Sequence, residues 1–199
     1  MIKQMLEKFQ KDIGEIFKGI PLHPNHITLA SVLFAILGSY FIFLARWEGL
    51  LLFLIAFLID GLDGAVARSK NLVSPFGAYI DGICDRIVEF FALLPLILNS
   101  EYTLAAVLVL FFGTCMTSFS KAYADHRNIC DAKTASKLRT LFPRTERTIA
   151  IFISLILYLQ QSEYLAIWIW ACAVTSIVAF INLQFEAYCK ATKNGQTDE

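Results

Sequence analysis

Four aspartates, Asp60, Asp63, Asp81 and Asp85, fall within one stretch, DGLDGAVARSKNLVSPFGAYIDGICD at residues 60–85, between runs that are almost wholly apolar. A carboxylate inside a membrane span costs about 2.5–3.5 kcal/mol on insertion scales, so four together need a partner that offsets their charge. Their spacing supplies one. Asp60, Asp63, Gly64 and Ala67 recur at i, i+3, i+4 and i+7, one face of a helix, and Gly77, Asp81 and Asp85 at i, i+4 and i+8, one face of a second. At about 1.5 Å per residue, Asp60 lies ~12 Å back from Arg68, and Asp85 ~14 Å in from Phe76. If the two helices are antiparallel, the acids sit at one depth and converge. Oxygen ligands facing one pocket suit hard divalent cations such as Mg²⁺, Mn²⁺ or Ca²⁺. The plain alternative makes the acids helix caps or structural ion pairs. Only Arg68, Lys70 and Arg86 are close enough in sequence to neutralise them, and a pair of metal ions does so better.

The elements that must position these acids are membrane helices. Of 199 residues, 57% are hydrophobic and 17% charged, against about 25% charged in soluble domains, and mean hydropathy is +0.59. This composition predicts an all-α integral membrane protein of one domain, 1–199, with six transmembrane helices at about 27–45, 49–68, 76–99, 102–124, 146–160 and 164–188. The fifth is short, and Pro95 is expected to kink the third. Residues 1–20 lack the continuous apolar core of a signal peptide. Ile2, Met5, Leu6, Phe9, Ile13, Ile16, Phe17 and Ile20 instead form one apolar stripe with lysines opposite, an amphipathic helix lying in the headgroup layer. A helix packed on a soluble partner is the other reading of that stripe. A polar tail is expected over 190–199. Of 17 Lys and Arg, all but Arg46 fall on the side holding both termini and the 69–75 and 125–145 loops. By the positive-inside rule both termini and the acidic pocket face the cytoplasm of a multi-pass cell-membrane protein.

A second constellation comprises Lys121, closing the fourth span, and Arg144 and Arg147, opening the fifth. A loop of roughly 20 residues between helices is unusually long, and such loops are often functional. Three cations there suit a phosphate on a substrate, with Arg able to grip it bidentately. Against this, cytoplasmic loops are basic through topology alone. The formal net charge of zero says nothing about nucleic acid, but no basic run interleaved with aromatics is present in a soluble segment, and nucleic-acid binding is not expected. The five cysteines show no CxxC; three lie within apolar runs and read as small buried hydrophobes. His23, His26 and His126 are assigned no role. Trp47, Trp168 and Trp170 fit an interfacial belt on the outer side.

The first stretch meets D-x2-D-G-x2-A-R-x8-G-x3-D-x3-D at Asp60, Asp63, Gly64, Ala67, Arg68, Gly77, Asp81 and Asp85. This resembles the signature of the CDP-alcohol phosphotransferase family, integral membrane enzymes of phospholipid synthesis. The resemblance implies two divalent cations, Mg²⁺ or Mn²⁺, held by Asp60, Asp63, Asp81 and Asp85, with Asp85 also the general base. It implies a CDP site at Asp60, Gly64, Ala67, Arg68 and Gly77, where Arg68 clamps the diphosphate and small residues admit the nucleotide. The second constellation is similar to the S-Y-x-K-A-R-A-E … E-R-x-E-R pattern of the phosphatidylinositol-phosphate and archaetidylinositol-phosphate synthases in that family. Ser118, Lys121, Ala122, Ala124, Arg144, Glu146 and Arg147 match, while Tyr123 stands in place of an arginine and Pro143 of a glutamate. The implied function is transfer of a phosphatidyl or archaetidyl group from a CDP-linked lipid donor to the hydroxyl of a phosphorylated polyol, inositol phosphate first, with release of CMP. Lys121, Arg144 and Arg147 would bind the acceptor's phosphate. Glycerol 3-phosphate is the rival acceptor, and a cation transporter the rival from another class. A Gly-Ala-Arg nucleotide frame has no evident purpose in an ion path. The resemblance further implies a homodimer among membrane lipids.

Overall fold

A computed structural model describes residues 24–70, 72–130, 132–135, 138 and 140–193, apart from the side chains of residues 24, 62–65, 132, 133 and 193. The expected helix over 1–20 and the end of the polar tail at 194–199 lie outside them. Every regular element among the described residues is helical. In chain order these are α1 (Pro24–Phe43), α2 (Glu48–Ser69), α3 (Pro75–Ile97), α4 (Thr103–Leu108), a π-helical stretch (Val109–Met116), α5 (Thr117–His126), α6 (Ala132–Ala135), α7 (Arg144–Leu159) and α8 (Leu165–Lys193). With α4, the π stretch and α5 forming one continuous run, six long helical segments stand close to the six apolar stretches of the sequence.

Four of the segments are long and apolar enough to cross a membrane: Asn25–Phe43, Glu48–Ser69, Thr103–His126 and Leu165–Thr192. The other two fall short for physical reasons. α3 is 23 residues long but carries Asp81, Asp85, Arg86 and Glu89. α7 has 16 residues, about 24 Å of helix against a hydrocarbon core of about 30 Å. These apolar helices make the chain a multi-pass membrane protein. α3 continues two residues past Pro95, which has no N–H to donate to the Phe91 carbonyl. α8 runs to Lys193, carrying the helix into the expected tail.

Contacts divide the chain into two compact units, one ending at Ala92 and the other beginning at Leu93. In the first, α1 and α2 form a closely packed hairpin. Its turn ends α1 with Ala45 at φ 55°, Arg46 N–H donating to the Phe41 carbonyl at 2.9 Å and Ala45 N–H to that of Ile42 at 2.8 Å. A Cβ on Gly49 would lie 2.7 Å from the Gly38 carbonyl oxygen and 2.7 Å from Ile42 Cγ1. Gly49→Ala is therefore expected to cost about 1–3 kcal/mol, the usual penalty of overpacking, seen as a lower unfolding temperature in detergent. Gly61→Ala, with nothing within 4 Å of the added Cβ, should not lower it.

The second unit gathers the remaining helices. Its loop after α5 folds back through Asn128 at φ 57° and an Ile129 N–H donating to the Ala124 carbonyl at 2.9 Å. Cys130, Ala135 and Leu138 then pack with Ala124 and Leu183. Cys115 is exposed despite its apolar run, whereas Cys130 is buried in this loop cluster. Trp168 departs from a simple belt position: half-buried, its Nε1 donates to Ser154 Oγ at 3.1 Å and to the Ala150 carbonyl at 3.2 Å, tying α8 to α7. Trp47 and Trp170 are exposed.

Candidate active site

Three of the four aspartates meet in the first unit. One carboxylate oxygen each from Asp60 on α2 and Asp81 and Asp85 on α3 lie within 4.8 Å of one another. Asp60 and Asp85 are each only 7% exposed, and Asp81 is half-buried. The Oδ1 atoms of Asp60 and Asp85 are buried without a hydrogen-bond partner, although both residues make other interactions. Asp85 Oδ2 accepts from Arg86 Nη1 at 3.1 Å, and the same nitrogen donates to the Gly82 carbonyl at 2.7 Å. One arginine thus offsets part of the charge on one acid. Three carboxylates so close and so poorly hydrated repel one another strongly, and a hard divalent cation is the partner their all-oxygen donor set fits. The fourth predicted ligand, Asp63, and the predicted nucleotide contact Gly64 have side chains outside those described.

Next to Asp81 a cleft of about 260 Å³ is lined by Asn25, Thr28, Ala67, Arg68 and Gly77, among others. Three of the predicted CDP-binding residues, Ala67, Arg68 and Gly77, therefore share one cavity with a predicted metal ligand. Local sequence builds its wall. Ser74 precedes Pro75 at the start of α3, and its Oγ accepts the Gly77 N–H at 3.0 Å, an N-cap followed by proline in the first turn. A Cβ on Gly77 would come within 3.1 Å of that Oγ and 3.6 Å of Asn25 Oδ1, so glycine keeps the mouth open. α2 ends one turn away, with Lys70 N–H donating to the Val66 carbonyl at 3.0 Å and Ser69 Oγ to the same carbonyl at 2.9 Å. Arg68 is exposed at that end.

Sequence reasoning had not placed Asn25 and Thr28 in the site. Nothing local in the sequence links the start of α1, where both residues lie, to α3. Glu89 was also passed over. It is 1% exposed and extends the spacing of Asp81 and Asp85 by a further four residues, a signal that the 3.6-residue period could have supplied.

The second unit holds the predicted phosphate-binding cations. Lys121 on α5 is half-buried and lies within electrostatic reach of Arg147 and Glu186. Arg147 is 5% exposed, and Arg144 is half-buried at the first position of α7. Lys121 and Arg147, from two different helices, are thus brought close enough to feel one another's charge. Ser120, beside Lys121, accepts from Gln184 Nε2 of α8 at 3.0 Å, which holds that turn of α5 in place.

With this geometry in view, the comparison with known proteins decides the family. The model of the CDP-alcohol phosphatidyltransferases matches residues 21–181. The chain belongs to that family. Its signature stretch lies inside the matched region, and an enzyme of this family is what the acidic cluster and adjoining cleft equip it to be. An archaetidylinositol phosphate synthase of Pyrococcus horikoshii is 29% identical over 188 residues, 94% of this chain and 92% of its own. The crystal structure of Mycobacterium tuberculosis phosphatidylinositol phosphate synthase with CDP-DAG bound superposes with a TM-score of 0.74 at 20% identity, covering 91% of this chain and 94% of that one. The same enzyme in complex with manganese and citrate gives a TM-score of 0.69 at 22% identity, covering 90% and 88%. The fold is therefore that of a CDP-alcohol phosphatidyltransferase.

Proposed function

We propose that this protein transfers the phosphatidyl or archaetidyl group of a CDP-linked lipid to a hydroxyl of inositol phosphate, releasing CMP. The observation that carries the reading is the convergence of Asp60, Asp81 and Asp85 beside a cleft lined by Ala67, Arg68 and Gly77, within the family's own motif. The family's reaction and the Pyrococcus relative's name support the choice of substrates.

In this reading Asp60, Asp63, Asp81 and Asp85 hold two divalent cations, Mg²⁺ or Mn²⁺. When bound, such a pair stabilises the attacking and leaving oxygens of an in-line displacement at phosphorus. Arg68 holds the donor's diphosphate from the end of α2. Gly64, Ala67 and Gly77 let the nucleotide approach the backbones of α2 and α3 without a side chain intervening. Asp85 accepts the proton of the attacking hydroxyl, acting by position rather than by raised basicity. The apolar helices leave the donor's tails in the bilayer, while nucleotide and acceptor come from water. Exposed apolar residues such as Leu29, Leu33 and Tyr40 on α1 suit lipid contact, and a homodimer belongs to the same reading.

Lys121, Arg144 and Arg147 bind the acceptor's phosphate. A hydrogen bond to a charged group is worth about 1.5–3 kcal/mol. Lys121→Ala or Arg144→Ala should therefore lower kcat/KM for inositol phosphate roughly ten- to hundred-fold, with the KM for the CDP-lipid little changed. Equal turnover of wild type with free inositol or serine and with inositol phosphate would show that these cations serve topology alone.

The basic side of the molecule faces the cytoplasm. In sealed cells expressing a cysteine-free background, with exposed Cys115 replaced, a membrane-impermeant thiol reagent should label a cysteine introduced at Ser162 and not one at Ser136. Outside labelling at Ser136 would reverse the orientation.

A further inference from the structure

The run from Thr103 to His126 leaves α-geometry over Val109–Met116, where the chain widens into a π-helical stretch. Such stretches are uncommon and frequently mark functional sites. Gly113 lies within it, buried. A Cβ there would lie 2.9 Å from Ser176 Oγ and 3.0 Å from Arg147 Cδ. Contacts that short are not sustained, so any side chain at 113 displaces the stem of Arg147 or the hydroxyl of Ser176. The widened turn is held by Thr117, whose Oγ1 donates to the Gly113 carbonyl and, at 3.4 Å, to that of Thr114. Thr114, Thr117 and Ser176 are all buried around this point, as is Arg147. A buried guanidinium stays charged and must be met by partners, so a shift of its stem that moves it away from them is costly. Lys121, farther along the same helical run, lies within electrostatic reach of that charge.

We propose that Gly113 is a positioning residue for acceptor binding: by leaving its Cβ position empty it seats the stem of Arg147 against the π-helical stretch, and so fixes the guanidinium that grips the acceptor's phosphate together with Lys121. This rests on the reading above in which Arg147 holds that phosphate.

The test is steady-state kinetics of the full-length protein in lipid nanodiscs, varying inositol phosphate and CDP-lipid separately, for Gly113→Ala, Ser176→Val and Arg147→Ala. Gly113→Ala fills the gap from the π stretch, and Ser176→Val crowds the same point from α8. Each is expected to raise the KM for inositol phosphate about tenfold, to leave the KM for the CDP-lipid within twofold, and to keep the thermal unfolding temperature near that of wild type. Should Gly113→Ala not yield folded protein, Ser176→Val carries the test alone. An unchanged inositol phosphate KM in the crowded variants, with a raised one in Arg147→Ala, would overturn the role of Gly113 and leave the acceptor site standing. An unchanged KM in Arg147→Ala would overturn both. Equal rises in the two KM values together with a lowered unfolding temperature would reduce Gly113 to a packing residue.

Discussion

Asp85→Asn is expected to lower kcat by about 10²–10⁴-fold, the range supplied by a positioned general base, while metal-dependent binding of the CDP-lipid stays largely intact. The amide matches the carboxylate in shape and retains one oxygen toward the cluster, but cannot take a proton from the acceptor's hydroxyl. Asp85 already shares Oδ2 with Arg86 at 3.1 Å, so part of its charge is offset within the protein itself. The measurement is CMP release under saturating substrates, set beside binding of the CDP-lipid with and without Mg²⁺ or Mn²⁺.

Asp60→Asn should behave differently. Asp60 is the described member of the cluster supplied by α2, is 7% exposed, and faces the two acids of α3. Divalent-ion affinity depends on the charge count and rigidity of the ligand set. Removing this charge is expected to abolish metal-dependent donor binding and turnover together, to below about one hundredth of wild type, a loss comparable to that on removing a catalytic group. Because three crowded carboxylates become two, the protein without added metal should unfold no more easily than wild type. Equal loss of donor binding in Asp60→Asn and Asp85→Asn would erase the division of labour between ligand and base.

The acidic pocket was legible because its information is local. Two helical faces, each marked by acids and small residues at steps of three, four, seven or eight, needed only an antiparallel pairing to bring Asp60, Asp81 and Asp85 together. Ser74-Pro75, an N-cap signal, similarly marks the start of α3. Helix ends were less visible. Ala45, Asn128 and Gln161 take positive φ values of 51–57°, and none is the glycine that ordinarily announces such a turn. Arg46, Ile129 and Ser162 each close the preceding helix by donating N–H to a carbonyl five residues earlier, geometry that the surrounding packing selects rather than the residue type.

The second unit was harder to read. Isolated apolar residues in the 125–145 loop, Cys130 and Leu138 among them, show no period, yet they find a common cluster against Ala124 and Leu183. The π-helical stretch has no signature either, since Val109–Met116 reads as ordinary apolar helix until the position of Arg147 against Gly113 is known. Asn25 and Thr28 belong to the cleft through pairing with α3, which no short-range pattern encodes.

The central claim is a metal-dependent transfer from a CDP-lipid to a phosphorylated polyol. The most direct measurement is CMP release by the purified protein, given a CDP-lipid, Mg²⁺ or Mn²⁺, and a panel of inositol phosphate, glycerol 3-phosphate, free inositol and serine. Release that requires the cation and is fastest with inositol phosphate is the predicted result. Release that persists in excess chelator, or that fails with every phosphorylated polyol, would contradict it.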